Sequence, residues 1–284
     1  MADLNIAYLQ QWVGREAVSE AVIAVEPANL LAATLDQTPA WQAGDVLPPA
    51  WHWLYFHEAV QTSLLGEEGH RQVGGFMPPV SLPRRMWAGG QFQFERPLRL
   101  GELARRRSTV RSVSLKEGRS GPLCFVVLEH EVTVQAGLCF REEQTLVYRA
   151  APRSGEAVGP ARPAPAEADF SRQIRPNPVL LFRYSALTFN SHRIHYDQDY
   201  CRQVEGYPDL VVHGPLIATL LLDLVRRHFP AATLTTFAYQ ARSPLFNPEP
   251  FTVNGRRLGQ TVQLWAANPA GGLAMEGVVA LVGP

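Results

Sequence analysis

Two stretches of the chain carry the same order of apolar and polar patterns. In the first, residues 50–65 (AWHWLYFHEAVQTSLL) predict a helix. Four strand-like runs follow, at 91–99, 104–115, 122–135 and 137–149. The run 104–115 alternates in polarity, and the two after it are rich in Val, Phe, Thr and Tyr, the composition of half-buried strands. In the second stretch, residues 215–229 (PLIATLLLDLVRRHF) predict a helix. Four more runs follow, at 234–246, 251–258, 260–268 and 273–283.

Between them, residues 150–170 are rich in Ala, Pro and Gly and poor in large apolar residues, as linkers are. The chain therefore divides into a first domain at 1–149, a linker at 150–174 and a second domain at 175–284. A weak repeat agrees with the division: Phe92, Pro97, Leu98 and Glu102 recur at one offset, 147 residues on, as Tyr239, Pro244, Leu245 and Glu249.

The second helix is apolar over most of its circumference (Leu216, Ile217, Leu220, Leu221, Leu222, Leu224, Val225), so its centre should be deeply buried. Pro215 suits a first-turn position, where its missing N–H is no loss. Arg226, Arg227 and His228 complement the C-terminal end of the dipole. A buried helix followed by a long antiparallel meander implies a sheet wrapped around a helix.

Composition narrows the function. Of 284 residues, 46% are hydrophobic and 18% charged, which is globular. Lys+Arg and Asp+Glu are both 26, so no basic excess points to nucleic acid or a membrane surface. The basic set contains a single lysine, Lys116, and arginine is the better ligand for planar anions. Cys124, Cys139 and Cys201 form no CxxC pair, and an odd count suits reduced thiols in the cytoplasm. No signal peptide and no apolar run of membrane-spanning length is visible.

The most informative segment is 183–216, RYSALTFNSHRIHYDQDYCRQVEGYPDLVVHGPL. Tyr184, Thr188, Asn190, His195 and Asp197, with the later His213-Gly214 turn, resemble the hydratase motif of the MaoC-like hot-dog enzymes. Residues 74–79 (GGFMPP) and 84–87 (RRMW) look similar to a loop of the N-terminal domain that pairs with it in two-hot-dog chains. The resemblance implies an α+β double hot-dog, with two antiparallel sheets each wrapped around a central helix. It also implies hydration or dehydration of acyl thioesters, with acyl-CoA as substrate and no separate cofactor. A homodimer is compatible with it. The sequence departs from the usual motif in two places: Asn190 stands where an aspartate is usual, and His192 where an asparagine is. The pattern FNxHRIHYD is similar to the subgroup containing itaconyl-CoA and mesaconyl-CoA hydratases.

Hydration of an enoyl thioester requires a proton acceptor for water, a donor to the α-carbon and donors for the enolate oxygen. His195 is the candidate acid/base, since imidazole titrates near neutrality. Asn190 cannot take a proton as a carboxylate does, but it can orient water or the thioester. The His213-Gly214 turn offers backbone N–H groups and a helix dipole to the thioester oxygen, and it also reads as an ordinary helix start. Tyr184 is either a core residue or a substrate donor, His192 a supporting partner or a surface residue, and Asp197 an N-cap or an orienting acceptor. His57-Glu58 is a candidate replacement for the missing carboxylate. Arg84-Arg85 beside Trp87 could hold a CoA phosphate or a substrate carboxylate. Arg105–Arg107 reads as a solvated face or a second anion contact. No zinc spacing, P-loop or dinucleotide motif is present. The alternatives are a fatty 3-hydroxyacyl-thioester dehydratase, a non-catalytic acyl-thioester-binding module and a thioesterase.

Overall fold

The computed structural model describes residues 4–118, 121–151, 159 and 161–283. Five strands come from the first half: β1 (Glu16–Val22), β2 (Arg84–Phe94), β3 (Leu103–Gly118), β4 (Gly121–Val134) and β5 (Gly137–Arg149). Five come from the second: β6 (Phe170–Ile174), β7 (Thr233–Ala241), β8 (Phe251–Leu258), β9 (Thr261–Ala267) and β10 (Leu273–Val282). They form one antiparallel sheet in the order β1-β3-β4-β5-β2-β7-β10-β9-β8-β6. Residues 170–174, assigned to the linker by composition, are the edge strand β6. Linker residues 152–158 and 160 lie outside the described residues.

The two halves meet where β2 pairs β7. Gln91 faces Ala238, and the two are 147 residues apart. The pairs on either side, Gly90↔Tyr239 and Phe92↔Phe237, are images of one another under the same offset. The weak sequence repeat is therefore the trace of a pseudo-twofold axis through the β2–β7 contact. Pairing these strands removes the edge each half would otherwise expose. It also stacks Phe92 on Phe237, with ring centroids 6.3 Å apart. One hydrophobic core runs through both halves, with Leu31, Trp51 and Phe92 on one side and Leu216, Leu221 and Phe237 on the other.

Among the described residues three helices exceed two turns: α1 (Val25–Thr34), α2 (Pro178–Leu187) and α3 (Gly214–His228). α3 is the long buried helix expected, and every residue from Leu216 to Val225 is buried. The expected fold needs two corrections. The sheets of the halves are one sheet, and only the second half has a long central helix. The helix expected at 50–65 is a short 3-10 turn, Trp51–Leu54, with another at Thr62–Leu64. Ala50 and Phe56 bracket the first turn with positive φ (69° and 60°), which breaks helical propagation. His52 Nε2 lies 2.8 Å from Glu142, and Trp53 Nε1 donates to the same carboxylate at 2.9 Å. A continuous helix would have to give up this double tie.

The one carboxylate on α3, Asp223, is buried and organises the far end of the helix. It accepts from Arg172 on β6 (3.0 Å), Arg226 (3.0 Å), Arg227 (2.8 Å) and Gln37 after α1 (3.1 Å). Burial works to raise its pKa, but the hydrogen bonds from Arg227 and Arg226 outweigh it, so the carboxyl titrates below its ordinary range. Its stabilisation is present at neutral pH and is lost as pH falls below about 4. Among the described residues no helix is long and apolar enough to cross a membrane. Asp223→Ala, which strands three guanidinium groups, is expected to lower unfolding free energy by about 3 kcal/mol at pH 7. Chemical denaturation at pH 7 and pH 3 checks this, with the difference from wild type shrinking at the lower pH.

Candidate active site

A cavity of about 1460 Å³ opens where the halves meet. The first half contributes Trp53, His70, Arg85 and Trp87 to its wall; the second contributes Asn190, His192, His195 and Gly214. The motif residues are positioned by the end of α2. Asn177 caps its start, accepting from Leu180 N at 2.8 Å. At its other end Phe189 takes a left-handed φ of 50°. The Phe189 and Asn190 N–H groups then bond back to Ala186 O (3.3 Å) and Ser185 O (2.8 Å), a Schellman closure made with a phenylalanine instead of glycine. Holding a bulky residue there costs roughly 1–2 kcal/mol, strain located at the entrance to the site.

Asn190 spends its carbonyl at once: Oδ1 accepts from the His192 backbone N–H at 3.0 Å. Its NH2 group is left to donate into the cavity. His195 is buried, and its Nδ1 lies 2.7 Å from Val211 O. A carbonyl only accepts, so Nδ1 carries the proton and Nε2 is bare. Burial pulls the His195 pKa down to about 4, against a smaller raising effect of the Val211 bond. Val211 is itself held through its N–H to Ile194 O (2.9 Å). The imidazole is therefore a neutral base of fixed tautomer.

Behind His195, His213 stacks at 3.6 Å between ring centroids, and its Nε2 meets Ser185 Oγ at 2.8 Å. Tyr184 packs its ring edge against His213 at 5.0 Å. Burial raises the Tyr184 pKa, with Thr219 opposing. Tyr184 is thus a core residue of α2 that also borders the cavity. On the open side, the His192 ring stands nearly perpendicular to His195 at 5.5 Å, and His70 lies 4.3 Å from His192. Desolvation first, then the neighbouring positive groups, lowers His192 to about 2 and puts His70 and His213 well below their ordinary value. The result is a row of four neutral imidazoles.

His70 arrives from the first half on a loop that clamps the motif. Arg193 N–H donates to Glu68 O at 2.9 Å, and the Ser191 hydroxyl donates to Gly69 O. Gly69 has φ +92°, and a β-carbon there would fall 1.9 Å from Ser191 O, so only glycine fits. α3 begins at Gly214, directly after His213, which makes no side-chain cap. Gly214 borders the cavity, and its N–H has no protein acceptor among the described residues. A β-carbon on Gly214 would meet only Trp87, at 3.9 Å. Trp87 is fixed by its indole N–H to Tyr239 Oη (2.9 Å) and by Trp53 at 5.4 Å.

Arg84 and Arg85, expected together, part company. Arg84 is ion-paired with Glu205 and donates to Val204 O at 2.8 Å, which takes it out of the cavity. Arg85 borders the cavity. His57 and Glu58 form no catalytic pair: the His57 ring lies over Phe189 at 5.9 Å, and Glu58 is ion-paired with Arg71 on the surface. Asp197 is the N-cap of the turn Gln198–Tyr200, accepting from Tyr200 N at 2.9 Å, and pairs with Arg193 at 2.8 Å. Of Arg105–Arg107, Arg106 turns inward to Phe56, while Arg107 pairs with Glu131 and Glu16. The sequence reading missed His70, Ser185 and Trp53, which no motif spacing marks.

The family description hydroxyacyl-thioester dehydratase type 2 matches residues 50–247. The mesaconyl-C(4)-CoA hydratase of Chloroflexus aurantiacus is 43% identical over 273 residues, 96% of this chain and 97% of that one. The chain belongs to the hydroxyacyl-thioester dehydratase type 2 family. Its fold is that of a solved MaoC-like dehydratase (TM-score 0.71, 15% identity, 96% of this chain and 99% of the other). A Mycobacterium tuberculosis protein described as a double hotdog fold aligns at TM-score 0.53 and 12% identity, over 95% and 96% of the two chains. This member of the type 2 dehydratases thus has the double hot-dog architecture, a MaoC-like hydro-lyase scaffold.

Gly214→Ala keeps the backbone N–H but sets a methyl group beside it; the variant is expected to fold with a melting temperature near wild type and, where the thioester oxygen must approach that N–H, to lose up to about 100-fold in kcat, the size of one oxyanion donor. With His195 as the base, the pH profile of kcat/KM should show no acid limb near 6.5, because this imidazole stays neutral until pH approaches 4. A limb near 6.5 would mean that another group is the titrating base.

Proposed function

We propose that the chain catalyses reversible hydration of an enoyl-CoA thioester, with a short dicarboxylic acyl group such as mesaconyl-C4 as substrate. The observation that carries this reading is that His195, with its Nε2 bare, and the N-terminus of α3 at Gly214 border one cavity. The thioester oxygen accepts from Gly214 N–H at the positive end of α3, which polarises the conjugated double bond. Asn190 donates its amide N–H to the water or the thioester. His195 Nε2 takes one proton from water as the oxygen bonds to the β-carbon and the π pair moves onto the α-carbon and thioester oxygen. The imidazolium then returns that proton to the α-carbon, on the same face, and is again neutral. His192 and His213 hold the base between them, and Trp87 walls the thioester. No separate cofactor enters these steps, and CoA acts as carrier.

The 43% identity to a mesaconyl-C(4)-CoA hydratase over nearly the whole chain supports the acyl group. Buried, unpaired Cys124, Cys139 and Cys201 fit the reducing cytoplasm we assign to it. A second reading, a dehydratase of longer fatty acyl thioesters, is favoured by the apolar end of the cavity at Met77, Leu128 and Leu146. A panel of mesaconyl-C4-, itaconyl-, crotonyl- and octenoyl-CoA, followed by loss of the conjugated-thioester absorbance, separates them. The dicarboxylic substrates should be hydrated with the highest kcat/KM. Preference for octenoyl-CoA would establish the second reading, and binding without turnover of any of them would overturn both.

A further inference from the structure

We propose that Arg85, with Tyr148 beside it on the sheet, is the receptor for the free carboxylate of the acyl group, and so sets the preference for dicarboxylic over monocarboxylic thioesters. This rests on the enoyl-thioester reading above and deepens it. Arg85 on β2 and Tyr148 on β5 are register partners, so their side chains rise side by side from the same face of the sheet. Trp87, which touches the Gly214 turn, is two residues along β2 from Arg85.

The charges around the cavity single out Arg85. Arg71 is paired with Glu58, and Arg162 and Arg242 share Glu276. Among the described residues Arg85, Arg106 and Arg149 make no ion pair. Arg106 is occupied by Phe56, whose carbonyl accepts at 3.1 Å and whose ring lies 5.1 Å from the guanidinium. Arg149 lies in the field of Glu205, which Arg84 already neutralises. Arg85 instead acts on His70 and His192, whose protonation its charge opposes. It is the unpaired cation at the row of histidines.

Tyr148 supplies the second observation. The residue is 2% exposed, and its buried hydroxyl lies against the Arg85 guanidinium. Burial raises its pKa, with Arg85 opposing, so it keeps its proton. Glu68 also faces Tyr148 but makes no ion pair with Arg85. The guanidinium, held at the cavity border beside the phenol, offers paired donors to one carboxylate.

Substrate dimensions choose the occupant. In mesaconyl-C4-CoA the carboxylate sits on the β-carbon, and its carbon lies about 3.8 Å from the thioester carbonyl carbon, the span across a planar trans unit. Its receptor must therefore adjoin the catalytic histidines, as Arg85 does. The CoA phosphates lie the length of the pantetheine arm away.

The test compares wild type, Arg85→Gln and Tyr148→Phe on mesaconyl-C4-CoA and crotonyl-CoA, and on the corresponding N-acetylcysteamine thioesters, which lack the CoA phosphates. The mesaconyl-to-crotonyl ratio of kcat/KM is expected to fall about 100-fold in Arg85→Gln, as loss of a charge-assisted contact should do, and by less in Tyr148→Phe, which keeps the guanidinium. The fall should persist with the short carrier. A ratio unchanged by Arg85→Gln overturns the proposal, whatever happens to the absolute rates. A fall seen only with CoA thioesters also overturns it, assigning Arg85 to the carrier phosphates. Wild type that hydrates crotonyl-CoA but not mesaconyl-C4-CoA would instead refute the substrate reading itself.

Discussion

The pairing of β2 with β7 is the constraint on which the site depends. It converts two half-sheets into one and places the pseudo-twofold axis between Gln91 and Ala238. It also carries the first half's Glu68–His70 loop onto the second half's motif. Neither half holds the whole cavity wall. The second half has His195, Asn190 and the N-terminus of α3 at Gly214. The first half has the clamp around Ser191, the aromatic wall and Arg85. The halves have also diverged in a useful direction. One keeps a long central helix, while the other replaces it with an irregular segment tied to Glu142, and the cavity extends over the face thus left open.

The electrostatics of the site favour neutral groups. Four imidazoles crowd together, and desolvation keeps all of them uncharged near neutral pH. Charging one would place a cation beside its neighbours, and Arg85 adds to the opposition at His70 and His192. A carboxylate at position 190 would add a negative charge to this neutral row, which asparagine does not. The Val211 carbonyl supplies orientation without a full negative charge, a milder version of the carboxylate that often backs a catalytic histidine.

Much of this was legible in the sequence. The helix 214–228 is marked by apolar residues over most of its circumference, and the 147-residue repeat agrees with the pseudo-symmetry of β2 and β7, although an offset does not fix their register. The hydratase-like segment located Asn190, His192, His195 and Gly214. The helix expected at 50–65 failed because its side chains are claimed by a buried Glu142 ninety residues away, which local pattern cannot register. Arg84 and Arg85 look alike in sequence and differ in structure because neighbours on a strand face opposite ways, one toward Glu205 and one toward the cavity. His70 and Tyr148 carry no spacing signal; only the tertiary fold brings them to the site.

The account rests on a buried, neutral His195 protonated at Nδ1 and bare at Nε2. Nitrogen-15 NMR of selectively labelled histidine, with His195 assigned by its loss in His195→Gln, reads this directly. At pH 7 the account predicts the Nδ1–H tautomer, with Nε2 at the shift of an unprotonated nitrogen and no second proton taken up until pH approaches 4. An Nε2–H tautomer, or an imidazolium forming near pH 6.5, would contradict it.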